Sequence, residues 1–192
     1  MPADRIVLVG QSLGTAVMAG VIEHFAERGT EFAGVILISG FTKLQSLLAD
    51  YCLLGWLSPL RSYPRLLEYF TSRVYDRWSS VTRVANFVRL SKRVRLFIIH
   101  SRNDYEILWY HSDGLFAAAV NATADGGIDL ALLEQIKRRN TMDMGDGAFI
   151  STWKGDGDKI IREEIVSYGR QSCVNSLGSV FVANNSQITV GY

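Results

Sequence analysis

Histidine is nearly absent from this chain. It has three, His24, His100 and His111, and none after the last of these. A reaction that needs an imidazole to carry a proton has only those three to draw on. Cysteine is scarcer: Cys52 and Cys173 lack the spacing of a disulfide framework or a zinc site, so neither a metal nor another cofactor is expected. No unbroken apolar stretch approaches the roughly 20 residues a spanning helix requires. The start, Met1-Pro2-Ala3-Asp4, has no basic leader followed by an apolar segment, so no signal peptide is read. The compartment stays open on these grounds. What the chain does have is 192 residues, 48% of them apolar and 20% charged. That balance suits one globular domain with a sizeable core.

The formal net charge is +1, but charge is unevenly spread. Residues 61–103 hold ten arginines and lysines against Glu68 and Asp76, and residues 104–164 hold twelve acids against six bases. The plainer reading is solvated helix faces. The sharper one is attraction of segment 61–103 to an anionic head group or membrane surface. Nucleic acid is not expected, because no recognition motif accompanies the basic residues.

Apolar periodicity outlines an α/β sheet. Arg5–Val9, Phe32–Ile38 and Arg95–Ile99 are short β-branched runs that suit strands buried on both faces. Ile160–Val166 predicts a fourth strand, nearer an edge because charges interrupt it. Leu13–Arg28 reads as a helix closed by Gly29. More than fifty residues separate the second and third strands, too many for a plain crossover. Residues 41–92 are therefore read as an inserted cap, with an apolar part (Leu44–Leu60) and a helical part (Tyr63–Arg89). Residues 121–157 are read as a second insertion, with a helix over Asp129–Arg139 and a Gly/Asp-rich loop after it.

The first strand runs directly into Gly10-Gln11-Ser12-Leu13-Gly14, and a helix follows. This is G-x-S-x-G in the strand-to-helix context it requires. A serine on so sharp a turn projects its hydroxyl above the sheet. Gly10 and Gly14 lack side chains that would clash there, and the Leu13 N–H at the helix start can stabilise an oxyanion. Ala16, Ala19 and Gly20 keep the helix thin where it crosses the sheet. A nucleotide-binding α/β domain is the weaker alternative. It would call for G-x-G-x-x-G and an acid after the second strand, whereas that strand ends in Ser39-Gly40.

With these residues placed, the chain resembles the α/β-hydrolase superfamily. In particular it resembles the branch of monoacylglycerol- and lysophosphatidylserine-lipase-like hydrolases and their fungal-type relatives. RIVLVGQSLG looks like the nucleophile strand and elbow, and GVILISGFT like the next strand. LFIIHSRNDYEILWYHSDGLF is similar to the family's acid strand, I-I-H-x-x-N-D-x-x-I-P-W. The resemblance covers roughly residues 4–170. It implies a mostly parallel sheet with flanking helices and a cap, Ser12 as nucleophile, Asp104 as triad acid, a structural role for His100, and acyl esters or lysolipids as substrates. The family is often membrane-associated.

The sequence departs from that family in three places. The catalytic histidine belongs after the last strand, where this chain reads Tyr168-Gly169-Arg170-Gln171, so glutamine occupies the base position. The chain begins at what is normally the fifth strand; the first strands and the loop donating a second oxyanion N–H are then absent, and Arg5–Val9 becomes an exposed edge open to self-association. The tail, 172–192, diverges, with eleven of its 21 residues Ser, Asn, Gly, Gln or Thr. Its strand-like segments, 180–182 and 188–190, are the expected filler of the open edge. The expectation is a partial α/β-hydrolase domain over 1–171, N-terminally truncated and weak or inactive as an esterase. A non-catalytic pseudohydrolase that binds a lipid or protein partner is the alternative.

Overall fold

The computed structural model describes residues 2–44, 46, 79–168, 181–184 and 187–190. Strand β1 (Val7–Gln11) passes through Ser12 into helix α1 (Leu13–Ala26), which unwinds at Gly29, φ 71°. Then follow β2 (Gly34–Ile38), α2 (Ser80–Leu90), β3 (Arg93–Ser101), α3 (Tyr110–Asn121) and α4 (Leu130–Arg139). The antiparallel strands β4 (Thr141–Gly145) and β5 (Ala148–Gly155) lead into β6 (Asp158–Val166). Most of the expected cap, Leu47–Trp78, lies outside the described residues, as does Gln171.

Six strands form one sheet in the order β1-β2-β3-β6-β5-β4. The first four run parallel, and the hairpin adds two antiparallel strands at the far side. This is a mixed α/β fold, a mostly parallel sheet with flanking helices, as in a partial α/β-hydrolase. Each parallel crossover steps the same way, so right-handed connections put the helices on one face. There α1, α2 and α3 share a core with alternate strand residues, among them Ile22, Val84 and Leu115 against Val35, Leu37, Leu96, Ile98 and Ile161. Gly20 faces α2 rather than the sheet: a Cβ there would lie 2.8 Å from the Arg83 guanidinium, which pairs with Glu23.

Two expectations change. Strand β6 is interior, paired with β3 and β5. Its charges do not exclude it from the sheet because Arg162 and Glu164 pair with each other, while Glu163, on the opposite face, meets Lys137. The Gly/Asp-rich stretch after α4 is a hairpin, not a loop. Its turn, Asp146-Gly147, has φ 52° and 77°, the left-handed pair that a two-residue hairpin needs.

The outer side of β1 has no ladder partner among the described residues. The tail segments pair with each other instead, as β7 (Phe181–Asn184) against β8 (Gln187–Val190).

Candidate active site

Ser12 is held in a conformation that few residues adopt. Its backbone lies at φ 51°, ψ −125°, a strained region costing about 1–3 kcal/mol. Neighbours on both sides impose it. Ser12 N–H donates to Ile38 O at 2.9 Å, and Ser12 O accepts from Thr15 N–H at 2.9 Å and Thr15 Oγ1 at 2.6 Å. The Ser12 hydroxyl makes no capping bond to the helix it precedes. The next amide, Leu13 N–H, has no acceptor among the described residues. A hydroxyl and a free N–H therefore stand together at the positive end of α1.

The two elbow glycines differ. A Cβ on Gly10 would sit 2.8 Å from Gly14 O and 2.9 Å from Met18 Cβ, whereas one on Gly14 would meet nothing within 4 Å outside its own helix backbone. The steric requirement is thus at Gly10, and the expectation of a similar clash at Gly14 does not hold. Gly10→Ala should cost about 1–3 kcal/mol by overpacking, and Gly14→Ala much less. Urea unfolding midpoints of the two variants check the difference.

Asp104 lies in the loop after β3, at the same edge of the sheet as Ser12. Register links Gln11 to Ile38 and Ile38 to Ile99, so the two loops leave strands separated only by β2, two strand spacings or roughly 10 Å apart. Asp104 is buried. Its Oδ1 accepts from Glu106 N–H and Ile107 N–H, both at 3.0 Å. Its Oδ2 is buried, 3.6 Å from His100 Nε2, and has no hydrogen bond among the described residues. Burial pushes the carboxyl up, but His100 and the two amides more than offset it and hold the group below its ordinary value of 3.8. Such a carboxylate stabilises the fold above that value, and the contribution is lost as pH falls through the lower, folded-state one.

The model of the prolyl oligopeptidase family matches residues 1–135. The chain belongs to this family. Its fold is that of the α/β-hydrolases, in agreement with the sheet described above. No curated protein matches the chain. The matched residues include both Ser12 and Asp104 and end within α4, before the hairpin and β6.

The histidines of this prolyl oligopeptidase-family chain are engaged elsewhere. His100 is buried, with Nε2 donating to Ile107 O at 2.7 Å and Nδ1 bonded to Ser112 Oγ at 2.6 Å. It braces the acid loop against α3. His111 is buried, with Nδ1 3.0 Å from Thr42 Oγ1. His24 is near the C-terminal end of α1, bonded to Arg28. Of the basic segment, Arg83 bridges to Glu23 and Arg95 to Asp158, while Arg61–Arg77 fall outside the described residues. No group of three metal-ligating side chains occurs among the described residues, and no helix among them is long and apolar enough to cross a membrane.

Lys137 of α4 bonds Asp113 of α3 and Glu163 of β6 in a partly buried triad. The alternation Ile161-Glu163-Ile165 puts a carboxylate on a buried face, a signal present in the sequence but masked by the charges beside it.

Proposed function

We propose that this chain is a serine-hydrolase-like protein of the acyl-ester class, related to the monoacylglycerol- and lysophosphatidylserine-lipase-like branch. Ser12 is the nucleophile, Asp104 the acid, and Leu13 N–H the oxyanion donor. The observation that carries the reading is the strained Ser12 turn, whose hydroxyl makes no bond to the helix and whose next amide has no acceptor among the described residues. Strain of this kind persists only where the surroundings enforce it, and it clusters at functional sites.

The residues available support esters over peptides as the proposed substrates. In a complete triad, histidine takes the serine proton and then delivers it to the leaving amine. With Gln171 at that position, no such acid serves an amine. An ester with a good leaving group departs without that help. Ser12 Oγ attacks the carbonyl carbon as its proton passes to solvent water, the tetrahedral oxyanion collapses with cleavage of the ester C–O bond, the alcoholate leaves and takes a proton from solvent, and water hydrolyses the acyl-enzyme to the free acid and Ser12. Without a base to activate the serine, turnover is slow.

The test is a fluorophosphonate probe with the modified residue mapped by mass spectrometry. Slow labelling at Ser12, absent in Ser12→Ala, is the expected result. If neither the native chain nor Gln171→His is labelled at Ser12, the hydrolase reading fails. The engagement of all three histidines away from Ser12 favours a second reading, a non-catalytic relative that binds a lipid or protein partner. Saturable lysolipid binding in a chain that resists the probe would select it.

A further inference from the structure

On the flank of the sheet away from β1, the loop after β3, helices α3 and α4 and the β4–β5 hairpin border an open recess of about 710 Å³. That volume lies within the range of small-molecule sites. Trp109 and Phe149 supply its apolar wall, their rings edge to face at 6.1 Å. Arg102 is fixed above the Trp109 ring at 5.1 Å and donates to Gly147 O at 3.1 Å. A Cβ on Gly147 would come within 2.9 Å of Arg102 Cδ, so the hairpin glycine makes room for this arginine.

The charges around the recess are of both signs and largely uncommitted. Arg102 and Arg138 line it, and neither has a carboxylate partner among the described residues. Glu134 and Asp143 line it too, and neither has a cationic partner there. Glu134 and Arg138 stand four apart on α4, the spacing at which such residues commonly pair, yet they do not. Lys137 and Asp113 are occupied with each other and, through Lys137, with Glu163. Two guanidiniums, two carboxylates and an aromatic wall therefore face one cavity.

We propose that this recess binds a small zwitterion carrying a planar apolar group, of the aromatic amino-acid type. The carboxylate lies on Arg102 and Arg138, whose planar donors suit it. The ammonium lies toward Glu134 and Asp143, and the ring lies against Trp109 and Phe149. A simple anion would meet the two carboxylates, and a simple cation the two guanidiniums. Only a ligand with both charges satisfies the set. This proposal does not rest on the Ser12 reading.

Isothermal titration of the full chain with L-phenylalanine tests it, with phenylacetate, phenethylamine and L-alanine as probes that each lack one element. Saturable binding of L-phenylalanine is expected at a dissociation constant of about 1 mM or tighter, with each deficient probe about tenfold weaker or more. Arg138→Gln and Glu134→Gln, both on the exposed side of α4, should each weaken L-phenylalanine by about tenfold without disturbing the fold. The proposal is overturned if L-phenylalanine gives no saturable heat, if phenylacetate or phenethylamine binds as tightly, or if both variants bind it as the native chain does.

Discussion

Replacing Gln171 by histidine is expected to raise hydrolysis of p-nitrophenyl acetate by about 10²-fold or more, the usual contribution of a positioned general base. The reason lies at Asp104. Its Oδ1 accepts from two amides, whereas its Oδ2 is buried and lacks a hydrogen bond among the described residues. A buried acceptor without a donor is costly, and an imidazole N–H is the donor that a triad acid receives. By the resemblance position 171 is that of the base; a glutamine side chain has an amide N–H to donate but cannot take a proton from a serine. The gain should vanish in Ser12→Ala/Gln171→His and fall sharply in Asp104→Asn/Gln171→His. Unchanged turnover in Gln171→His, with Ser12 still labelled by the fluorophosphonate, would show that position 171 does not reach the serine. His111→Ala would then be the variant to assay.

The largest expected loss of stability is at Lys137. Glu163 is fully buried, its Oε2 bonded to Lys137 Nζ at 2.6 Å and its Oε1 without a partner among the described residues. The ammonium also lies 5.1 Å from the Phe116 ring and 5.5 Å from the Phe149 ring. Lys137→Met keeps the apolar stem and removes the charge, leaving Glu163 uncompensated. Breaking a buried pair in this way costs about 3–5 kcal/mol. Burial pushes the Glu163 carboxyl up and Lys137 only partly offsets it, so the group sits above its ordinary value of 4.5. A carboxylate raised on folding stabilises below its unfolded value, and that contribution is lost as pH rises through the folded one. Removing Lys137 raises it further. The deficit of Lys137→Met should therefore be small near pH 5 and grow toward pH 8. Glu163→Gln in the same background should recover most of it. Urea unfolding at both pH values measures this, and an equal loss at each would contradict the assignment.

The site was legible where the chemistry is local. An apolar run, a G-x-S-x-G turn and an amphipathic segment occupy consecutive residues, and the Thr15 bonds that help hold the Ser12 turn lie in the same stretch. Asp104 was legible for a similar reason, since the apolar strand and the turn residues Ser101-Arg102-Asn103 deliver it to the strand end. Placing Ser12 and Asp104 at one edge followed from parallel strands that share a direction. The role given to Gly14 was not correct, because clash depends on which residue packs over the turn, and Met18 lies over Gly10.

The far side of the sheet was less legible. Asp146-Gly147 and Asp156-Gly157 are hairpin signals, but the strands they join are short and partly exposed, so alternation was weak. β6 was read as peripheral because Arg162, Glu163 and Glu164 interrupt it. A charge excludes a strand from the interior only when nothing neutralises it, and its partners lie elsewhere in the chain. Glu163 meets Lys137 from twenty-six positions earlier, brought there by α4.

Order along the chain thus determined the strand–turn–helix elbow, the parallel core and the absence of a histidine after His111, because each depends on residues close in sequence. Tertiary structure alone decided which strand is interior, which carboxylate is buried, where the three histidines are engaged, and that Arg102, Glu134, Arg138 and Asp143 converge on one recess. Those depend on electrostatic and packing partners from distant segments. Their energies, a few kcal/mol apiece, are set by distance and burial that no local pattern encodes.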